Sequence, residues 1–297
     1  KWLYLKRGGR RGIPNDGIID IEKSVVINLN GFTLEIGRFY NYAELEIYNG
    51  TLYPQCSSIL FHLITNEENA TLNLHDVTSK FDKTISLLND GTAYFEKVTA
   101  TSSDNGTILH NSDTGKMYLK DCTIIHTSVS ILSDGYLEVD GGVYENTSSG
   151  GLMTMGAETI IHSGTFKSVG GSAYSMFLSD SGTLTIHDGN FIADGHLLGF
   201  SCLFCNTMPT ATINGGTFDL TQTIAFIDIE NTIITINDGE FNLSDDPFSA
   251  SAKANINING GTINALNADN FSFNLAEANF TIGKDDVSVL SAPVINI

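Results

Sequence analysis

Apolar and polar side chains alternate through Leu184-Thr-Ile-His-Asp-Gly-Asn-Phe191. A period of two is that of a half-buried strand. Asp188-Gly189 then marks a turn, and Phe191 returns to the apolar side. The unit recurs as Leu45-Glu-Ile-Tyr-Asn-Gly-Thr-Leu52, Leu137-Glu-Val-Asp-Gly-Gly-Val-Tyr144 and Thr159-Ile-Ile-His-Ser-Gly-Thr-Phe166. It returns again as Ala211-Thr-Ile-Asn-Gly-Gly-Thr-Phe218, Ile234-Thr-Ile-Asn-Asp-Gly-Glu-Phe241 and Ile256-Asn-Ile-Asn-Gly-Gly-Thr-Ile263.

The position before the recurring threonine serves as a pivot. It falls at Phe32, Gly50, Val77, Val98, Cys122, Gly142, Gly164, Gly189, Gly216, Gly239, Gly261 and Ala278, a mean spacing of about 22 residues. Only small or apolar residues stand there, as a crowded inward site requires. Thr follows at Thr33, Thr51, Thr78, Thr99, Thr123, Thr165, Thr217 and Thr262, which suits the outer face of strands. Each period holds a further apolar strand, such as Ile59-Leu60-Phe61, Ile108-Leu109 or Ile224-Ala-Phe-Ile227, often followed by a polar corner such as Asn89-Asp-Gly91 or Ser133-Asp-Gly135. Two or three short strands per period without helical periodicity predict an all-β chain, a parallel β-helix of about twelve coils spaced ~4.8 Å apart. Leucine-rich repeats share the period, but their leucine spacing and asparagine ladder are absent. The expected division is a leader or cap over 1–24 and the β-helix over 25–297.

The motif of alternating apolar residues before (Asp/Gly)-Gly-Thr-Phe, clearest in Gly215-Gly-Thr-Phe218 and Gly260-Gly-Thr-Ile263, resembles right-handed parallel β-helix proteins of the pectin-lyase-like superfamily. It is most similar to the "GGTF" repeats of bacterial cell-surface proteins. Ile27-Asn-Leu-Asn-Gly-Phe-Thr-Leu34 resembles the first coil common in that group, with Asn28 in place of its usual Asp. The resemblance implies the right-handed fold over about residues 25–283. The superfamily spans lyases, hydrolases, phage tailspikes, adhesins and stalks, so fold alone does not choose a function.

Net charge is -19 over 297 residues, unevenly spread. Lys1, Lys6, Arg7, Arg10 and Arg11 crowd the start, whereas residues from 39 onward hold 8 Lys against 30 acids. Such a body repels phosphate, so nucleic acid is not an expected partner. No run of about 18 apolar residues predicts a membrane span. Cys56, Cys122, Cys202 and Cys205 are too few for a disulfide framework. Cys122 occupies a pivot and reads as a buried thiol. The single Cys202-Leu-Phe-Cys205 lacks a second pair for zinc and reads as part of an apolar strand.

Two outward columns carry the candidate chemistry. Four residues before the pivot they run Tyr94, Tyr118, Glu138, Ile160, Thr185; two before it, Glu96, Lys120, Asp140, His162, His187. Tyrosines can stack on sugars, with Lys120, Glu138 and Asp140 as polar partners. Glu138 and Asp140 stand ~7 Å apart by strand rise, a spacing at which carboxylates can cut glycosides. The plainer alternative is a cross-strand charge ladder. Motifs of polygalacturonases and pectate lyases are missing, and no Arg follows Arg38, so a non-catalytic role is expected. His162 and His187 are too few to hold a metal alone. The corner acids Asp90, Asp113, Asp134 and Asp180 could line up to bind calcium, though Asp-Gly also simply favours turns. Varying coil length argues against an ice-binding threonine lattice. Glycosylation sequons occur at Asn49, Asn69, Asn105, Asn146, Asn242, Asn270 and Asn279.

The resulting expectation is an extracellular or cell-surface structural or adhesive module, a stalk or filament subunit with carbohydrate as ligand. Its partners would be copies of itself or further domains, and no cofactor other than calcium is expected. The alternative is a polysaccharide lyase or hydrolase, or a virion tailspike.

Overall fold

A computed structural model describes residues 18–54, 62–81, 87–103, 107–148, 151–169, 175–179, 181–200, 208–244, 247–250, 253–265, 271–272, 274–275, 279–282, 288–290 and 295–296. Among them every regular element is a strand, and the strands stack in parallel as a β-solenoid. Coils recur about 23 residues apart. The stack amounts to about nine turns, fewer than the twelve pivots imply. Of the twelve pivots, Ala278 lies outside the described residues and Phe32 is exposed instead of inward.

Each coil has three faces. Face A is a twelve-stranded sheet that begins with Ile18–Ile21, Arg38–Asn41 and Ile64–Asn66. The expected strand at Ile59–Phe61 lies outside the described residues. Faces B and C belong to a single twenty-stranded sheet. They are continuous because long strands such as Glu44–Pro54, Thr71–Phe81, Tyr136–Asn146 and Glu158–Ser168 run through the bend between them. Ile18–Ile21 pairs in register with Arg38–Asn41, so the first coil starts before the boundary expected at residue 25.

Parallel in-register pairing places like on like, and the interior is a set of ladders. On face A, Phe39, Ile64, Leu87, Leu109, Ile131, Met153, Phe177 and Leu198 stand one above another, all buried. On face C, Tyr144, Phe166, Phe191, Phe218 and Phe241 form a column of parallel rings with centroids 5.0, 4.9, 4.7 and 4.5 Å apart. The spacing is the coil rise itself, so strand pairing and ring stacking enforce one another.

The corner between faces A and B holds a ladder that the sequence reading denied. Asn41, Asn66, Asn89 and Asn111 are wholly buried. Each Nδ2 donates to the Oδ1 of the next, at 2.7 Å at all three steps. Asn111 ends the run by donating to Ser133 Oγ at 3.0 Å. The second Nδ2 proton satisfies corner carbonyls, for Asn89 those of Gly91 and Lys116. An amide has both donors and acceptors, so a column of one residue type can satisfy itself indefinitely. Corner glycines follow from this packing: a Cβ on Gly135 would collide with the carbonyl oxygens of Ser112 and Gly115.

The bend between faces B and C has two forms. In early coils the residue before the pivot takes a left-handed conformation, at Asn49, Asp76, Lys97 and Asp121 with φ of 62, 52, 53 and 51°. Val77, Val98 and Cys122 can then be buried pivots with ordinary φ. In later coils the pivot itself has positive φ, at Gly164, Gly189, Gly216, Gly239 and Gly261, a region costly to side chains. Gly141 and Gly142 both have positive φ and mark the changeover, where pairing with the next coil also shifts register. At Phe32 the preceding Asn30 and Gly31 both take positive φ, of 50 and 81°, yet Phe32 is 71% exposed; Leu29 fills the inward space of that coil, against Gly50.

Tyr144 tops the phenylalanine column with a hydroxyl that is buried and has no protein hydrogen-bond partner. An unpaired buried hydroxyl costs about 1–3 kcal/mol. Tyr144→Phe is therefore expected to raise stability by about 1 kcal/mol or more, read as a higher denaturant midpoint at unchanged slope.

Candidate functional site

Strand parity puts every second residue of face B outward, and the parallel register aligns those residues from coil to coil. Tyr94 pairs with Tyr118, Tyr118 with Glu138 and Glu138 with Ile160; beside them Glu96 pairs with Lys120 and Lys120 with Asp140. The sequence-predicted residues are thus brought onto one face.

Their geometry divides them into two groups. Tyr94 and Tyr118 lie ring on ring, 4.8 Å apart and 12° from parallel. Tyr94 is 46% exposed. They border an open groove of about 430 Å³, lined also by Glu46, Asn73, His75, Glu96 and Lys120. Lys120 Nζ lies 3.4 Å from Glu96 and His75 Nε2 lies 2.9 Å from Glu46. His75 also stacks on Tyr48 at 4.8 Å. The groove therefore combines an apolar ring surface with charged and hydrogen-bonding groups around it, as small-ligand sites do.

The second group centres on Glu138. Tyr136 donates its hydroxyl proton to Glu138 Oε2 at 2.6 Å, and His162 Nε2 lies 2.9 Å from Oε1. The Tyr136 hydrogen bond, with a smaller contribution from His162, holds Glu138 below the usual carboxylate range despite partial burial. Burial and the same hydrogen bond push Tyr136 up. Glu138 is thus an anion with both oxygens engaged, a state unsuited to the general acid of glycoside cleavage but the one its carboxylate partner has. Asp140 is exposed and accepts a hydrogen bond from Ser163 at 3.3 Å.

The remaining candidates separate further. His162 and His187 stack face to face at 5.3 Å and 5°, which sets their nitrogens side by side instead of converging them on a metal. Cys122 is buried, and burial pushes its thiol up to about 11. Cys202 and Cys205 lie outside the described residues. The corner acids do not form the expected column. Backbone hydrogen bonds align Glu67, Asp90, Ser112, Asp134 and Gly156, so Asp113 is out of register and a serine separates Asp90 from Asp134. Asp180 lies outside the described residues. Among the described residues no three acidic, histidine or cysteine side chains gather as a metal site.

Asn49, Asn69 and Asn242 keep some exposure, but Asn242 donates to Asp219 at 2.8 Å and accepts from Asn264 at 2.9 Å. Asn146 is fully buried and donates to the Gly151 carbonyl, which corrects its reading as a glycosylation site. Asn105 and Asn270 lie outside the described residues; Asn279 begins the strand Asn279–Ile282.

Sequence reasoning named Tyr94, Tyr118 and Lys120 but not Tyr136, Glu46 or His75. Tyr136 stands six residues before its pivot, in a column that the coils around it fill with Thr92, Lys116, Glu158 and Thr183. Glu46 and His75 belong to the two columns already followed, in coils above the stretch where those columns looked unusual. Among the described residues no helix is long and apolar enough to cross a membrane. Compared with protein-family models, curated proteins and solved structures, the chain matches none.

Proposed function

We propose that the chain is an extracellular or cell-surface β-solenoid, structural or adhesive in role, that binds a polysaccharide on face B. The observation that carries this is the groove bordered by the stacked Tyr94–Tyr118 pair, of which Tyr94 is exposed. The exposed part of the Tyr94 ring supplies apolar area at small entropic cost, and Glu46, His75, Glu96 and Lys120 supply hydrogen bonds to hydroxyls around it. Both Glu138 oxygens are taken up by Tyr136 and His162, which favours binding over hydrolysis. The kinship proposed is with right-handed β-helix proteins of the pectin-lyase-like type, on the strength of Gly215-Gly-Thr-Phe218 and Gly260-Gly-Thr-Ile263. Its partners beyond glycan are further domains or copies of the chain.

Titration of the chain with a panel of neutral and charged polysaccharides tests this. Tyr118→Ala is expected to weaken the best ligand at least about tenfold, or ~1.4 kcal/mol. Glu138→Gln should leave affinity near wild type, with no new reducing ends released by either protein. Absence of any binding glycan, or a Tyr118→Ala protein that binds as well as wild type, would sink the reading. Release of reducing ends that stops in Glu138→Gln would establish the hydrolase instead.

A further inference from the structure

The shape of the groove on face B follows from its register. Glu46, Asn73, Tyr94 and Tyr118 stand in one outward column, and Tyr48, His75, Glu96 and Lys120 in the next. Asn73 is the short member of the first column. The surface therefore dips between Glu46 and Tyr94, two coil rises or about 9–10 Å apart at the backbone. Tyr94 has one ring face against Tyr118, on the side of the following coil. Its other face is turned toward the dip above Asn73. His75 closes the flank, stacked on Tyr48 and 2.9 Å from Glu46 Oε1.

The walls of the dip are chemically unlike. One is an aromatic face, whose quadrupole attracts a cation. The one opposite is a carboxylate. His75 engages Glu46 Oε1, and among the described residues Oε2 has no hydrogen-bond partner. Glu96, beside Tyr94, holds Lys120 through Oε1 at 3.4 Å and likewise keeps Oε2. Two carboxylates thus stand against one lysine, and the histidine adds charge only when protonated. A ring face opposite a carboxylate suits a protonated amine, which meets the ring's field on one side and charge-assisted hydrogen bonds on the other. The same walls oppose a carboxylate ligand. The field of the whole body has the same sign, since residues from 39 onward hold 30 acids against 8 Lys.

We propose that the dip between Glu46 and Tyr94 is a subsite for the protonated amino group of an amino sugar. The polysaccharide held on face B is then one with free amines, in preference to a uronate or an N-acylated neutral polymer. This rests on the carbohydrate reading and adds the class of sugar to it. A lysine side chain carries the same charge. A sugar, however, also uses the Asn73 amide and His75, which offer hydrogen bonds to the hydroxyls beside its amine, where lysine has only its stem.

Calorimetric titration with equal-length oligomers of glucosamine, N-acetylglucosamine and galacturonic acid, the amines protonated, tests this. The glucosamine oligomer is expected to bind at least about tenfold more tightly than its N-acetylated counterpart, with the galacturonate weakest. Glu46→Gln keeps the size of the side chain. It should weaken the glucosamine oligomer about tenfold and change the N-acetylated one by less than about twofold. Asp219→Asn removes the same charge from face C and should leave both affinities unchanged; both variants should keep the wild-type far-ultraviolet spectrum. Asp219→Asn weakening the amine as much as Glu46→Gln would show attraction by the acidic body as a whole and overturn the subsite. An N-acetylated oligomer bound as tightly as the free amine, and still weakened by Tyr118→Ala, would overturn the subsite while leaving the carbohydrate reading standing. Binding of none of the oligomers would remove both. A lysine oligomer bound more tightly than glucosamine, and weakened by Glu46→Gln, would make the occupant a basic peptide instead.

Discussion

Replacing Asn89 by aspartate is expected to destabilise the solenoid by about 3–5 kcal/mol at neutral pH, the range for an uncompensated buried charge. The substitution changes one NH2 to one oxygen. Asn89 Nδ2 faces Asn111 Oδ1 at 2.7 Å and the carbonyls of Lys116 and Gly91 at 3.1 and 3.2 Å. An anionic oxygen there would confront three acceptors with no donor. Protonation would restore one donor, so the folded state raises the new carboxyl's pKa above its ordinary value near 3.9. The sign follows from proton counting. The folded state binds the extra proton more tightly, so stability falls as pH rises from that ordinary value through the raised folded one. Denaturant midpoints of the variant and wild type should converge toward low pH and separate toward neutrality. Midpoints separated equally at all pH values would show that the ladder's amide polarity is not what matters.

Phe191→Ala is expected to cost about 3–5 kcal/mol, the range for truncating a buried aromatic ring. The ring lies between Phe166 at 4.9 Å and Phe218 at 4.7 Å and meets Phe177 edge-on at 6.1 Å. Its removal breaks both stacking contacts at once and leaves a void that in-register strands are too rigid to close. Phe191→Leu keeps most of the volume and should lose far less. Because stability in a solenoid is summed over neighbours, the alanine variant should also unfold in two steps, with cleavage by protease near the weakened coil preceding loss of the rest. A single cooperative transition of wild-type steepness would argue that coupling extends well beyond adjacent coils.

The fold was legible because strand parity and a period near 22 residues leave a trace in nearly every coil. Leu184, Ile186 and Phe191 read as inward, and all three are buried. Cys122 read as a buried pivot and is one. What was not legible has a physical pattern. Asn89 read as part of a polar corner, and Asn41, Asn66 and Asn111 carried no signal of their own, because asparagine serves both turns and ladders; only the three-dimensional register shows the amides meeting inside. Phe32 was read as inward by alignment with later glycines, but its bend has two successive residues of positive φ, Asn30 and Gly31, and Leu29 fills the space instead.

For the candidate site, the outward columns on face B could be read directly, since two-residue periodicity fixes which side chains share a face. The lateral lean of the side chains could not. Tyr136 reaches across to Glu138, and His75 to Glu46, by contacts that cross columns. As a result the groove opens over the coils of Glu46, His75, Tyr94 and Tyr118, above the Glu138–Asp140 pair on which a cleavage reading had centred.

The paired glycines at 141 and 142 bear on how such a chain can be lengthened or shortened. Coils before them turn on a left-handed residue ahead of a buried pivot, and coils after them turn on the pivot glycine itself. A whole coil could be duplicated or deleted within either block, because donor and acceptor share one bend and one register. A coil moved across the junction would carry a bend its new neighbours do not match, unless a Gly-Gly adaptor travelled with it. The molecule is therefore two exchangeable arrays joined by one adaptor, and length variants should be tolerated inside each array long before they are tolerated at residues 141–142.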